Sequence, residues 1–151
     1  MNLPHYLDLL HRAQSELAVA FREVGEAHAD EPDVFHLTRR LAQQCEDHAQ
    51  QLGPFVERYG ADTEEEPERL HAELFGGARS GGLGLLRDLH DLYVMAAQCD
   101  MAWTLIGQAA RGLRDEELTG VVTACEDETA TQMRWLRTRM KEAAPQALVV
   151  A

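Results

Sequence analysis

The sequence predicts an all-α protein, a four-helix bundle made of two antiparallel hairpins joined by one long crossover. Three observations carry this. Four long segments repeat apolar residues at steps of three and four, the period of a buried helix face. The links inside each pair hold only about three residues, which forces antiparallel neighbours. The link between the pairs is far longer and can travel the length of a bundle.

The first helix is expected over 4–29, on Leu3, Leu7, Leu10, Leu17, Phe21 and Val24, with Gln14 filling one slot of the stripe. The second is expected over 33–59, with Leu37, Leu41, Cys45, His48, Leu52 and Phe55 on one face and Asp30 or Asp33 as its cap. Gly53-Pro54 lies inside it. Proline removes a backbone donor there, which predicts a kink, and the apolar spacing continues to Tyr59. The crossover, 60–83, holds an acidic run (Asp62, Glu64, Glu65, Glu66), a short helix over 67–75 and a glycine-rich stretch. The third helix, 84–113, follows Leu85, Leu89, Leu92, Ala96, Cys99, Trp103, Ile106 and Ala110. The fourth, 115–144, follows Leu118, Val122, Cys125, Thr129, Gln132 and Leu136, with Asp115 as cap and Pro145 as stop. An apolar tail, 145–151, follows it.

The halves also resemble each other. A shift of 82 residues sets Leu7 on Leu89, Leu10 on Leu92, Phe21 on Trp103, Val24 on Ile106 and Gly25 on Gly107. A shift of 80 sets Cys45-Glu46-Asp47 on Cys125-Glu126-Asp127 and His48 on Glu128. An internal duplication of one helical hairpin accounts for this.

Length and composition bound the function. The 151 residues make one domain with a core of useful size. A net charge of -12 repels phosphate backbones and anionic lipid, so nucleic acid and membrane partners are not expected. No stretch reaches the roughly 18–20 apolar residues of a membrane span. The N-terminal residues have no basic lead and no apolar run, and three widely spaced cysteines read as reduced thiols, so a cytoplasmic protein is expected. No Cys-x-x-Cys, phosphate loop or nucleotide fingerprint occurs.

Candidate chemistry gathers at Cys45, His48, Cys125 and Glu128, which fall on the inner faces of the second and fourth helices. This arrangement, two hairpins with a long crossover and Cys45-Glu46-Asp47-His48-Ala49 on the second helix, resembles the ferritin-like superfamily of ferritins and rubrerythrins. That resemblance implies a glutamate on the first and third helices and a Glu-x-x-His on the second and fourth, converging on two metal ions. His48 matches the histidine of the second helix. Cys45 and Cys125 stand in the places of the two motif glutamates, and Glu128 in the place of the second histidine. On the first helix Glu16 and Glu23 lie away from the core centre and Gln14 points inward. On the third, Ala96 and Cys99 point inward, Asp88 and Asp91 flank the stripe, and Asp100 is the carboxylate best placed to turn in.

A two-iron centre needs several anionic oxygens, so the expectation is a ferritin-like protein without an intact di-iron site, without a cofactor and without catalysis. Its role would be structural or in protein interaction. His48 and Glu128 would then hydrogen-bond across the bundle. The alternative is a metalloprotein. It would be a di-iron oxidoreductase or iron-handling protein if Glu16 and Asp100 turn in beside His48 and Glu128. It would instead hold zinc or copper if Cys45, His48, Cys125 and Glu128 form a thiolate-imidazole site, with Cys99 as a further ligand.

The remaining histidines are weaker candidates: His28 suits the helix dipole at the end of the first helix, and His5, His11, His36, His71 and His90, with no partner at ligand spacing, read as surface or satisfied residues. Trp103, Trp135, Phe21 and Tyr93 read as core packing. Leu9, Val19, Val94 and Met101 fall on outward faces and point to a homodimer or another protein as partner. The apolar tail is expected to fold back on the bundle or to dock on a neighbour.

Overall fold

The computed structural model describes residues 1–60 and 69–150. Among them the chain is all-helical: α1 (Leu3–Ala27), α2 (Pro32–Gly60), α3 (Gly81–Gly112), α4 (Glu116–Pro145) and a short π-helical segment (Gln146–Val150). The helix limits fall within three residues of the sequence expectation. Pro4 and Pro32 open α1 and α2, where a missing N–H is harmless. Asp115 caps α4, its Oδ1 accepting from the Leu118 N–H at 3.0 Å. Asp33 is no cap: it lies within the first turn of α2 and binds Arg139 instead. α2 runs through Pro54 to Gly60 as one helix.

α1 packs on α2 and α3, and α4 packs on α3 and α2. Contacts at the helix ends fix their directions. Arg58 near the end of α2 meets Asp115 and Glu117 at the start of α4. Arg139 near the end of α4 meets Glu31 and Asp33 at the start of α2. His28, just past α1, meets Asp88 early in α3. Each of these pairs therefore runs antiparallel.

One continuous apolar core fills the space between the helices. Trp103, Phe21 and Phe55 are its largest fully buried side chains. The expected core faces are present in all four helices. Two glycines allow close approach. A methyl group on Gly25 would run into Thr38 of α2, and one on Gly107 would lie 3.1 Å from Val122 of α4. Trp135 and Tyr93, read as core, are only partly buried against it.

Two expectations fail here, the short helix of the crossover and the outward Leu9. Residues 69–75 carry no helix; 67 and 68, like the acidic run Asp62, Glu64, Glu65 and Glu66, lie outside the described residues. Leu70, Leu74 and Phe75 instead pack as an extended strap against the core, and that burial outweighs local helix preference. The strap widens the covered face of α1, so Leu9, expected outward, is buried where it borders Leu70 and Met101. The tail is helical too, packing on α4 and α3 with Leu148, Val149 and Val150 exposed.

Candidate functional site

The sequence-derived candidates meet in a polar layer across the middle of the bundle. His48 on α2 is fully buried. Its Nε2 lies 3.3 Å from Glu128 Oε1 on α4, and a carboxylate can only accept, so the imidazole donates. Glu128 was expected as an inward carboxylate. It is a half-exposed one, 45% accessible, that reaches His48 from the edge. The His48 ring also stands edge-on to Trp103 of α3, with centroids 5.8 Å apart.

Each flanking thiol faces an amide. Cys45 Sγ lies 3.8 Å from Gln132 Oε1, and Gln132 Nε2 donates to Gln44 Oε1 at 3.0 Å. Cys125 Sγ lies 3.9 Å from Gln51 Oε1. Burial pushes the thiols of Cys45 and Cys125 up to about 12 and raises Cys99 as well. With no metal beside them all three are therefore thiols, not the thiolates that attack electrophiles.

The other proposed ligands do not join this layer. Glu16 is exposed on α1, where it lines a groove of about 630 Å³ with Glu23, Glu73, Val19 and Phe75. Asp100 is partly buried on α3 and held above its ordinary pKa, first by that burial and then by Glu126. Among the described residues, no three His, Cys, Asp or Glu side chains are grouped to hold a metal ion. Among the described residues the carboxylates are not gathered as a two-iron centre would need, and Cys45, His48 and Cys125 face Gln132, Glu128 and Gln51 instead of one another.

The layer is incompletely satisfied. His48 Nδ1, Trp103 Nε1 and both amide atoms of Gln14 are buried without a hydrogen-bond partner. A buried orphan costs about 1–3 kcal/mol, so this layer sits below the stability its packing could give.

Burial also holds the His48 imidazole below its ordinary pKa, with the Glu128 hydrogen bond pulling the other way. The unfolded chain then takes up a proton at His48 that the folded chain resists. Stability should rise with pH up to about 6.5, the unfolded value, and level off above it. Urea midpoints measured from pH 5 to 8 should fall on the acid side, and His48→Gln should flatten that fall. An unchanged slope in the variant rules the assignment out.

A second polar cluster escaped the sequence reading. His28, expected only to suit the helix dipole, is buried. It is 3% exposed, and its Nε2 donates to Asp88 Oδ2 at 2.7 Å. The same oxygen accepts from the Arg79 backbone N–H at 2.9 Å, and Asp88 Oδ1 accepts from the Arg79 guanidinium at 2.8 Å. Arg79 also reaches Asp91, which Arg87 pairs in turn at 3.0 Å. Asp88 and Asp91, expected at the edge of the stripe, are buried. Their charge is tolerable there because every carboxylate oxygen has a donor. This knot ties the end of α1, the end of the strap and the start of α3. A signal for it exists in the sequence: His28 follows Val24 by four, in step with Leu17, Phe21 and Val24.

With this geometry in hand, comparison with known proteins gives no match to any protein-family model, any curated protein or any solved structure.

Proposed function

We propose that the chain is a ferritin-like bundle whose central layer is a hydrogen-bonded polar core in place of a di-iron centre, and that it works without catalysis, as a structural or protein-interaction module. One observation carries this. At the four positions on α2 and α4 where the resemblance asks for metal ligands, the side chains engage other protein groups. His48 meets Glu128, Cys45 meets Gln132, and Cys125 meets Gln51. The end contacts of the helices support two antiparallel hairpins with a long crossover between them. The matching close approaches at Gly25 and Gly107 support a duplicated hairpin.

Such a layer fixes how α2 and α4 face each other, at some cost in stability. It offers neither a reactive thiolate nor open coordination positions. The strongly acidic surface keeps copies apart in solution except where carboxylates are absent.

Metal content tests this. Untagged protein, grown with iron and zinc and purified without chelator, should carry far less than one metal ion per chain by mass spectrometry. Anaerobic addition of ferrous iron should not change that. One or two irons per chain would overturn the reading and make the protein a di-iron oxidoreductase or iron carrier. One zinc or copper lost in Cys45→Ser and His48→Gln would replace it with the thiolate-imidazole site.

A further inference from the structure

A groove of about 630 Å³ runs between α1, the strap and α3. Its α1 wall follows from spacing. Glu16, Val19, Ala20 and Glu23 step by three, one and three, so they share one face of the helix. Ala20 turns inward and is buried, while Val19 stands 65% exposed. Leu74 and Phe75 of the strap and Met95 of α3 complete an apolar floor. Glu73 rises from the strap on the other side.

The groove is therefore apolar below and acidic along its rim. Among the described residues, Glu16 and Glu73 pair with no cation, and Glu23 meets only the Ala78 backbone N–H, at 3.5 Å. No Arg, Lys or His lines the groove. Arg22 and Arg79, on the flanking elements, are held elsewhere, by Glu46 and by Asp88 with Asp91. This rim is more than a share of the net charge of -12. Under the 82-residue shift Glu16, Val19 and Glu23 correspond to Gln98, Met101 and Leu105 of α3, which line a second groove. That face keeps the apolar residue in the middle and carries no carboxylate.

Charge and shape together select the occupant. Glu16 and Glu23 lie about 10.5 Å apart along α1, too far to share one ion readily, and no three ligating side chains are grouped for a metal among the described residues. Small-molecule sites enclose most of their ligand, and a groove with so exposed a wall leaves a small cation largely in water. A second copy brings its own net charge of -12 and is repelled. A helix of another protein, apolar on one face and basic along both flanks, meets every demand. It repeats the spacing of α1, so Arg or Lys at i and i+7 reach Glu16 and Glu23 while an apolar residue between them rests on Val19. A basic residue on its other flank meets Glu73.

We propose that this groove is a docking site for a basic amphipathic helix of another protein. The site names a partner class for the interaction reading above and rests on it.

The probe is a fluorescein-labelled peptide of about 18 residues, long enough for a helix, made of Ala with a Leu stripe and Arg along both flanks. A control peptide has the same composition with Leu and Arg mixed around the helix. Fluorescence anisotropy should show the probe binding and the control binding more weakly. Glu16→Gln, Glu23→Gln and Glu73→Gln together should weaken the probe about tenfold, as three exposed ion pairs would. All three glutamates are exposed, so the variant should fold. Glu57→Gln, Asp127→Asn and Glu142→Gln remove the same charge from α2 and α4 and should change binding less than about twofold. Val19→Ser leaves the charge alone and should weaken the probe about threefold. In methyl NMR spectra the probe should shift Met95 and leave Met133 and Met140 of α4 in place. Equal losses in the two triple variants, or equal binding of the two peptides, would show diffuse attraction to an acidic surface and overturn the proposal. So would an unmoved Met95 methyl, or displacement of the probe by an equal concentration of spermine, which would make the groove a small-cation site. Any of these failures in metal-free protein overturns the docking site alone. Stoichiometric metal in protein that binds the probe as expected overturns the functional reading and leaves the docking site standing.

Discussion

Asp88→Ala is expected to destabilise the fold by about 3–5 kcal/mol, the usual cost of removing one partner of a buried ionic pair. Asp88 has no exposed surface, and both its oxygens are bonded. Without it, His28 keeps a buried ring nitrogen with nothing to donate to, and the Arg79 backbone N–H loses its acceptor. The Arg79 side chain is 42% exposed and can turn to water, so it adds little to the loss. Asp88→Asn should cost less, because an amide oxygen still accepts one of these bonds. The pair His28→Leu with Asp88→Leu should recover much of the stability, since two apolar groups leave no orphan. Chemical denaturation of the four proteins measures this. An Asp88→Ala loss below about 1 kcal/mol would show the knot to be decorative.

Trp103→Ala is expected to cost a similar 3–5 kcal/mol, here through lost packing and the cavity left behind. Trp103 is the largest fully buried side chain. Its indole N–H has no partner, so removing it also relieves one orphan, which sets the loss toward the lower end of that range. The same change has a second readout. Trp103 stands edge-on to His48 and helps to keep it dry. Burial is the leading cause of the lowered His48 pKa, so opening a cavity beside the ring should move that pKa back toward about 6.5. A proton NMR titration of His48 in the variant checks this. An unmoved titration would mean that other groups, not Trp103, seal the ring.

The four helices were legible because periodicity in a chain this amphipathic is strong, and the two short links leave one choice of direction. The buried polar positions were legible for the same reason. Gln14, His48, Thr129 and Gln132 occupy slots in apolar stripes and are buried there. What periodicity does not carry is pairing over distance. His28 and Asp88 are 60 residues apart, and each has a sufficient local explanation, one as a helix-end histidine and one as an edge carboxylate. Only the packing of α1 against α3 shows that they meet. The strap failed for a related reason. Local composition favours a helix over 67–75, but Leu70, Leu74 and Phe75 gain more by lying against α1 and α3. Glu128 shows the limit of a face assignment, since a long side chain at a helix edge can reach a buried partner while half of it stays in water.

The contacts between α2 and α4 have a consequence for chain identity. They run from one end to the other: Arg139 with Asp33, Cys45 with Gln132, His48 with Glu128, Arg58 with Asp115. A slip of one helical turn, about 5.4 Å, would break them all together. They also distinguish the two hairpins of a chain whose halves resemble each other. By the 80-residue shift, a first hairpin facing a first hairpin from another copy would set His48 against His48, Cys45 against Leu52, Arg58 against Phe35 and Asp33 against Tyr59. Every polar complement would be lost. Exchange of hairpins between molecules is the characteristic misassembly of a repeated fold. The central layer thus acts as a proofreading device that lets each first hairpin accept only a second one.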